Sequence, residues 1–111
     1  MGLSTHILDT ALGKPAAGVA VTLWQRTSAG FHQLVNAQTD ADGRCKSLRG
    51  DGELKAGIYR LTFFTAKYFT DQRITPLYPY VEIVFDVADP SQHYHIPLLL
   101  AANGYTTYRG S

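Results

Sequence analysis

The chain has 111 residues, 45% of them apolar and 17% charged, with a net charge of +1. That is enough for a single domain, 1–111, with its own core, and the ten Lys and Arg are too scattered to form a nucleic-acid-binding stripe. No apolar run approaches the roughly 18 residues of a membrane span.

The opening, MGLSTHILDT, lacks the basic and apolar regions of a secretory signal, and Cys45 has no second cysteine to pair with. A reducing cytoplasm fits best, with a processed signal or a peroxisomal setting left open.

Leu3 to Asp9 alternates and reads as a strand, with Ser4, His6 and Leu8 on one side and Leu3, Thr5 and Ile7 on the other. Gly13-Lys14-Pro15 breaks it. Val19 to Arg26 is a second strand, and Ser28-Ala29-Gly30 turns into a third, Phe31 to Thr39. There Phe31, Gln33 and Val35 alternate with His32 and Leu34. Asp40-Ala41-Asp42-Gly43 is a tight turn, because Asp side chains bond their own backbone and Gly supplies positive φ. Arg44 starts a short strand ending near Leu48, and Gly50-Asp51-Gly52 is another break.

Gly57 to Phe64 is a strong strand, with Tyr59, Leu61 and Phe63 on one face. Thr65 to Asp71 is the only plausible helix, and it is short. Pro76 and Pro79 frame an irregular crossing. Tyr80 to Val87 puts Val81, Ile83, Phe85 and Val87 inward and Glu82 and Asp86 outward.

The chain closes on HYHIPLLLAANGYTTYRGS. Asn103-Gly104 is a strong signal for a type I′ hairpin. With those two in the loop, Leu99 faces Tyr108 and Pro97 faces Gly110. Alternation then puts His95, Pro97, Leu99, Thr106, Tyr108 and Gly110 on one face. The predicted total is about eight short strands, with turns every roughly 8 to 12 residues, the pattern of an all-β sandwich or barrel.

The residues that could carry chemistry are His6, Arg44, His95, Tyr108, Arg109 and Ser111. Each has a plainer reading: a satisfied or surface histidine, a solvated arginine after a turn, a cross-strand tyrosine, a polar tail. His93-x-His95 puts two imidazoles on one strand face and invites a metal, with His6 as a possible third ligand. Catalytic zinc usually wants three protein ligands, and Cys45 and the acids lend no supporting spacing, so no metal is expected. His32 reads as structural. On composition and spacing alone, this is a β-sandwich with an unassigned ligand.

Several stretches together resemble one family. Leu3-Ser4-Thr5-His6-Ile7-Leu8-Asp9-Thr10 followed by Gly13-Lys14-Pro15-Ala16 resembles the opening of the transthyretin-like proteins. Thr39-Asp40-Ala41-Asp42-Gly43-Arg44 resembles their third-to-fourth strand turn, and Gly57-Ile58-Tyr59 the start of their fifth strand. The closing Tyr108-Arg109-Gly110-Ser111 is similar to the terminal tetrapeptide of the enzymatic branch, the 5-hydroxyisourate hydrolases.

The resemblance implies a sandwich of two four-stranded sheets with one short helix, assembled as a homotetramer, a dimer of dimers. Its site would lie in a central channel at the dimer–dimer interface. The implied reaction is hydrolysis of 5-hydroxyisourate to 2-oxo-4-hydroxy-4-carboxy-5-ureidoimidazoline, without metal or cofactor. His6, Arg44, His95 and Ser111 map onto the catalytic positions, and Tyr108, Arg109 and Gly110 onto substrate binding.

Histidine can take and give a proton near neutral pH, and arginine can hold a carbonyl or oxyanion. Either His6 or His95 could activate the water. The competing readings are a non-catalytic transthyretin-like binder of small aromatic ligands and an accessory β-sandwich domain.

Overall fold

The structure is a computed structural model that describes residues 2–48 and 54–111. The break expected at Gly50-Asp51-Gly52 lies outside the described residues. Among the described residues, nine strands and one helix follow in chain order: β1 (Gly2–Asp9), β2 (Lys14–Pro15), β3 (Ala20–Thr27), β4 (Gly30–Gln38), β5 (Arg44–Cys45), β6 (Gly57–Phe64), α1 (Ala66–Thr70), β7 (Val81–Val87), β8 (His93–Ala101) and β9 (Gly104–Thr107). The strands form two sheets. One is ordered β4-β3-β6-β7. The other is ordered β2-β1-β8-β9, and β5 also pairs with β1. The second sheet therefore has five strands rather than four, because β2 and β5 share one edge of β1. β2 pairs with Leu8 and Asp9, and β5 with Thr5 and His6.

Alternation sets the core. Leu3, Ile7, Leu98 and Leu100 of the five-stranded sheet meet Val21, Leu23, Leu61 and Phe63 of the other, all essentially inaccessible. This is the period-2 signal of half-buried strands, apolar inward and polar outward. β1 and β8 run parallel, and the other pairings are antiparallel. The parallel pair sets Ser4 beside His95 and His6 beside Pro97 in register.

The turn before β5 is built as the sequence predicts. Asp40 Oδ1 accepts from the N–H groups of Asp42 and Arg44, at 2.9 and 3.0 Å, and Gly43 has φ 73°. A Cβ at Gly43 would meet Ile7 O at 2.6 Å, so glycine is needed for close approach as well as for φ. The turn is clamped onto β1 by the bond from Ile7 N–H to Gly43 O at 2.8 Å.

Two expectations are corrected. The first concerns Phe31, Gln33 and Val35, which do not share a face. Leu23 pairs with Val35 while Trp24 pairs with Gln33, so Leu34 is the extra residue of a β-bulge. The bulge turns Phe31 and Gln33 outward with Trp24 and leaves Val35 facing the core. Phe31 and Trp24 then flank the guanidinium of Arg60, which lies 4.3 and 4.8 Å from their ring centres.

The second concerns the final hairpin. Ala101 pairs with Gly104 and Leu99 with Thr106, so Ala102-Asn103 forms the loop and the register differs by two residues from the predicted one. Neither Asn103 nor Gly104 has positive φ. The tip is held from outside instead: Ala102 O accepts from Leu77 N–H at 2.8 Å, and Tyr105 packs edge-on against Tyr78 at 5.3 Å. A shift of two preserves which side chains share a face, but it moves Gly110 from Pro97 to His95.

Candidate active site

The outward face of the five-stranded sheet gathers most of the chemically capable residues. Leu3, Thr5 and Ile7 are buried, so Ser4, His6 and Leu8 point away from the core. β5 lays Arg44 directly opposite His6. β8 lays His95 beside Ser4. The chain end returns as a single bridge, His95 opposite Gly110, with Gly110 N–H donating to His95 O at 2.8 Å. A pocket of about 240 Å³ opens here, lined by Ser4, Thr5, Arg44, Lys46, His93, His95 and Ser111.

His95 is held in it from two sides. Its Nδ1 lies 2.8 Å from Ser4 Oγ, and the same hydroxyl lies 2.9 Å from His93 Nε2. On its other edge the ring rests on Gly110, where a Cβ would come within 2.5 Å of His95 Cδ2. Burial, and then the positive charges of Arg44, His6 and His93, hold the imidazole below its usual pKa of 6.5, while a hydrogen bond to the Ser4 main chain opposes them. The ring is therefore neutral at pH 7 and able to accept a proton. A fixed guanidinium stands in the same pocket, suited to a carbonyl or oxyanion.

Of the predicted residues, Arg44, His95 and Ser111 line this pocket, Gly110 abuts the His95 ring, and His6 is the register neighbour of Arg44. Tyr108 and Arg109 lie elsewhere. They line a separate cleft of about 330 Å³ at the open edge of the sandwich, with Phe85, Tyr94 and Ile96 among its walls. Arg109 lies over the Tyr94 ring at 4.4 Å and donates to Gln92 Oε1 at 2.9 Å, which fastens the terminal segment. Pro97 explains the departure. It has no N–H for the strand beside it, so the ladder lapses at Tyr108 and Arg109 and resumes only at Gly110. His32 is exposed on the four-stranded sheet, opposite Gln25.

Four pocket residues escaped the sequence reading as site residues: Ser4, Thr5, Lys46 and His93. The signal for Ser4 was present, since it lies two residues before His6 and so on the same strand face. The same alternation from Arg44 points to Lys46. His93 was weighed only as a metal ligand, and here its Nε2 is bonded to Ser4. Among the described residues, no three His, Cys, Asp or Glu side chains are grouped to hold a metal ion, and no helix is long and apolar enough to cross a membrane.

The profile of the HIUase/Transthyretin family matches residues 3–110. The chain is 44% identical over 109 residues to the 5-hydroxyisourate hydrolase of Salmonella typhimurium, covering 98% of this chain and 80% of that one. It is 46% identical over 114 residues to the 5-hydroxyisourate hydrolase of Deinococcus radiodurans, covering 99% and 96%. The solved structure of Klebsiella pneumoniae 5-hydroxyisourate hydrolase superposes with a TM-score of 0.88 at 37% identity, with both chains fully covered. The fold, the register and these likenesses agree, and the chain belongs to the HIUase/Transthyretin family.

Proposed function

We propose that this protein hydrolyses 5-hydroxyisourate to 2-oxo-4-hydroxy-4-carboxy-5-ureidoimidazoline. The observation that carries the proposal is the meeting of Arg44, His95 and Ser111 in one pocket, with His95 held neutral. The relatives that bear the hydrolase name at 44–46% identity support it. Fold likeness alone does not separate this from a carrier: sea bream transthyretin in complex with thyroxine superposes at a TM-score of 0.91 with 38% identity. A carrier of small aromatic ligands, though, has no need of a neutral imidazole beside a guanidinium.

In this reading Arg44 polarises the ring carbonyl and holds the oxyanion that forms. His95 takes a proton from the attacking water, whose oxygen bonds to the carbonyl carbon. The C–N bond then breaks, and His6 protonates the departing nitrogen. Ser111 orients the water or a histidine. General acid–base help of this kind is worth roughly 10²- to 10⁴-fold, and the reaction is assigned to side chains alone.

The pocket lies on an open sheet face. A homotetramer, a dimer of dimers that covers this face with another copy, would exclude water from it. Gly110 admits the His95 ring, and Arg109 anchors the terminal segment that carries Tyr108 and Gly110. A reducing cytoplasm suits the free, buried Cys45.

The test is an ultraviolet assay in which urate oxidase generates fresh 5-hydroxyisourate and its decay is followed. Decay well above the spontaneous rate, lost in His95→Asn, is expected. Decay at the spontaneous rate from a folded protein would overturn the proposal and favour the binder.

A further inference from the structure

The Ser4 hydroxyl touches two imidazoles at once, His95 Nδ1 at 2.8 Å and His93 Nε2 at 2.9 Å. A hydroxyl has one proton to donate and two lone pairs to accept with, so with both bonds made it gives to one ring and accepts from the other, or accepts from both. Three arrangements are then open. In the first, His95 Nδ1–H donates to Ser4 and Ser4 O–H donates to His93. In the second, His93 Nε2–H donates to Ser4 and Ser4 O–H donates to His95. In the third, both rings donate to Ser4. The first and third leave His95 Nε2 bare. The second puts a proton on it and makes it useless as a base.

Two of the three keep the proton on His95 Nδ1. The opposite ring edge is placed by Gly110, which abuts Cδ2. With Nδ1 turned to Ser4 and Cδ2 to Gly110, Nε2 lies on the side away from Ser4, where it serves as a base only when bare.

We propose that Ser4 and His93 are positioning residues that hold His95 in its Nδ1–H tautomer through the chain His95 Nδ1–H to Ser4 Oγ, then Ser4 O–H to His93 Nε2. The tautomer of a functional histidine is set by the bond its other nitrogen makes. Ser4 is the stronger element, since its bond to His95 is part-buried, whereas the bond to His93 is exposed and competes with water. The choice of tautomer and the kinetic part of this inference rest on the hydrolase reading. The Ser4 bridge to both rings does not.

The experiment is nitrogen-15 NMR of the imidazoles in the full chain, above the His95 titration, joined to steady-state kinetics of Ser4→Ala, His93→Leu and His93→Gln. Wild type should show His95 protonated at Nδ1, and Ser4→Ala should shift it toward Nε2–H. Ser4→Ala should lower kcat by roughly ten- to a hundred-fold, the scale seen when an outer partner of a functional histidine is lost, with KM within about two-fold.

His93→Leu should lose less. His93→Gln, whose amide reaches the position of Nε2, should recover most of that loss. A wild-type Nε2–H tautomer overturns the inference even in a fully active enzyme, as does a tautomer unchanged in Ser4→Ala. Should Ser4→Ala not fold, equal losses in His93→Leu and His93→Gln overturn it as well. An Nδ1–H tautomer in an inactive wild type supports the inference and sinks the hydrolase reading separately.

Discussion

Gly110 serves as the seat of His95. Its N–H donates to His95 O at 2.8 Å, and a Cβ in its place would fall 2.5 Å from His95 Cδ2 and 3.1 Å from Pro97 Cγ. Its φ is not among the positive ones, so the glycine is required by contact rather than by backbone conformation.

Gly110→Ala should therefore push the imidazole off its seat and away from Ser4. Turnover should fall by roughly 10²-fold, the lower end of what a misplaced base forfeits. Thermal stability should move little, because the neighbouring chain end is mostly exposed. Kinetics and a melting curve on the same preparation check this, and an unchanged kcat would mean that the ring tolerates displacement.

Asp9 ties the helix to the site-bearing strand. Buried at the end of β1, its Oδ1 accepts from the N–H groups of Ala11 and Leu12 at 3.0 Å, and its Oδ2 from Tyr68 Oη–H at 2.7 Å. Burial first, and then Asp9, push the Tyr68 hydroxyl up to about 12, so it stays a donor throughout the physiological range. Tyr68→Phe removes that donor from a buried carboxylate and should cost about 1.5–3 kcal/mol, the range for a hydrogen bond to a charged group. Urea unfolding measures it, with the midpoint lowered and the slope unchanged.

The sandwich itself was legible because period-2 burial is written directly into β1, β6 and β7. Leu3, Thr5 and Ile7, or Tyr59, Leu61 and Phe63, can face only one way. What the sequence hid were events that break the period. Nothing local marks Leu34 as the bulged residue, because its effect depends on which residue of β3 it opposes. Asn103-Gly104 advertised a turn that the contact of Leu77 with Ala102 overrode by one position. The shared face of His95 and Gly110 survived that error because faces depend on parity. Their direct contact did not, because contact depends on register. Ser4 was missed for a different reason: a serine on a strand face is common, and only the parallel pairing with β8 places two histidines within its reach.

Cys45 faces the core from β5, paired with Thr5. Burial, and then the Asp40 carboxylate, push its thiol up to about 11, so almost no thiolate exists at neutral pH. Native protein should react with a disulfide reagent at pH 8 at least ten-fold more slowly than the same protein in denaturant, with one equivalent titrated once unfolded. Fast native labelling would show that β5 opens readily. Loss of activity that tracks slow labelling would show how far the Arg44 position depends on its buried neighbour.

The pH dependence turns on His95. The charged and titratable groups that face it are His6 from β1, Arg44 and Lys46 from β5 and the residues after it, His93 from its own strand, and the terminal Ser111. Burial and then Arg44 lower its pKa, so the folded ring releases its proton below 6.5 while the unfolded ring releases it at about 6.5. The neutral base therefore predominates at pH 7, and kcat/KM should fall as pH drops through the folded midpoint, which lies below 6.5. Stability has the same sign: in that window the unfolded chain binds more protons, so the contribution of His95 is complete above pH 6.5 and is lost as pH falls through the folded value. Arg44→Gln removes one positive neighbour and should raise the His95 midpoint part of the way back. It should not restore it fully, since burial, the larger cause, remains. Proton NMR of the His95 ring follows the midpoint directly. A wild-type midpoint at or above 6.5, or one that Arg44→Gln leaves in place, would show that the guanidinium and the imidazole do not share the pocket as described.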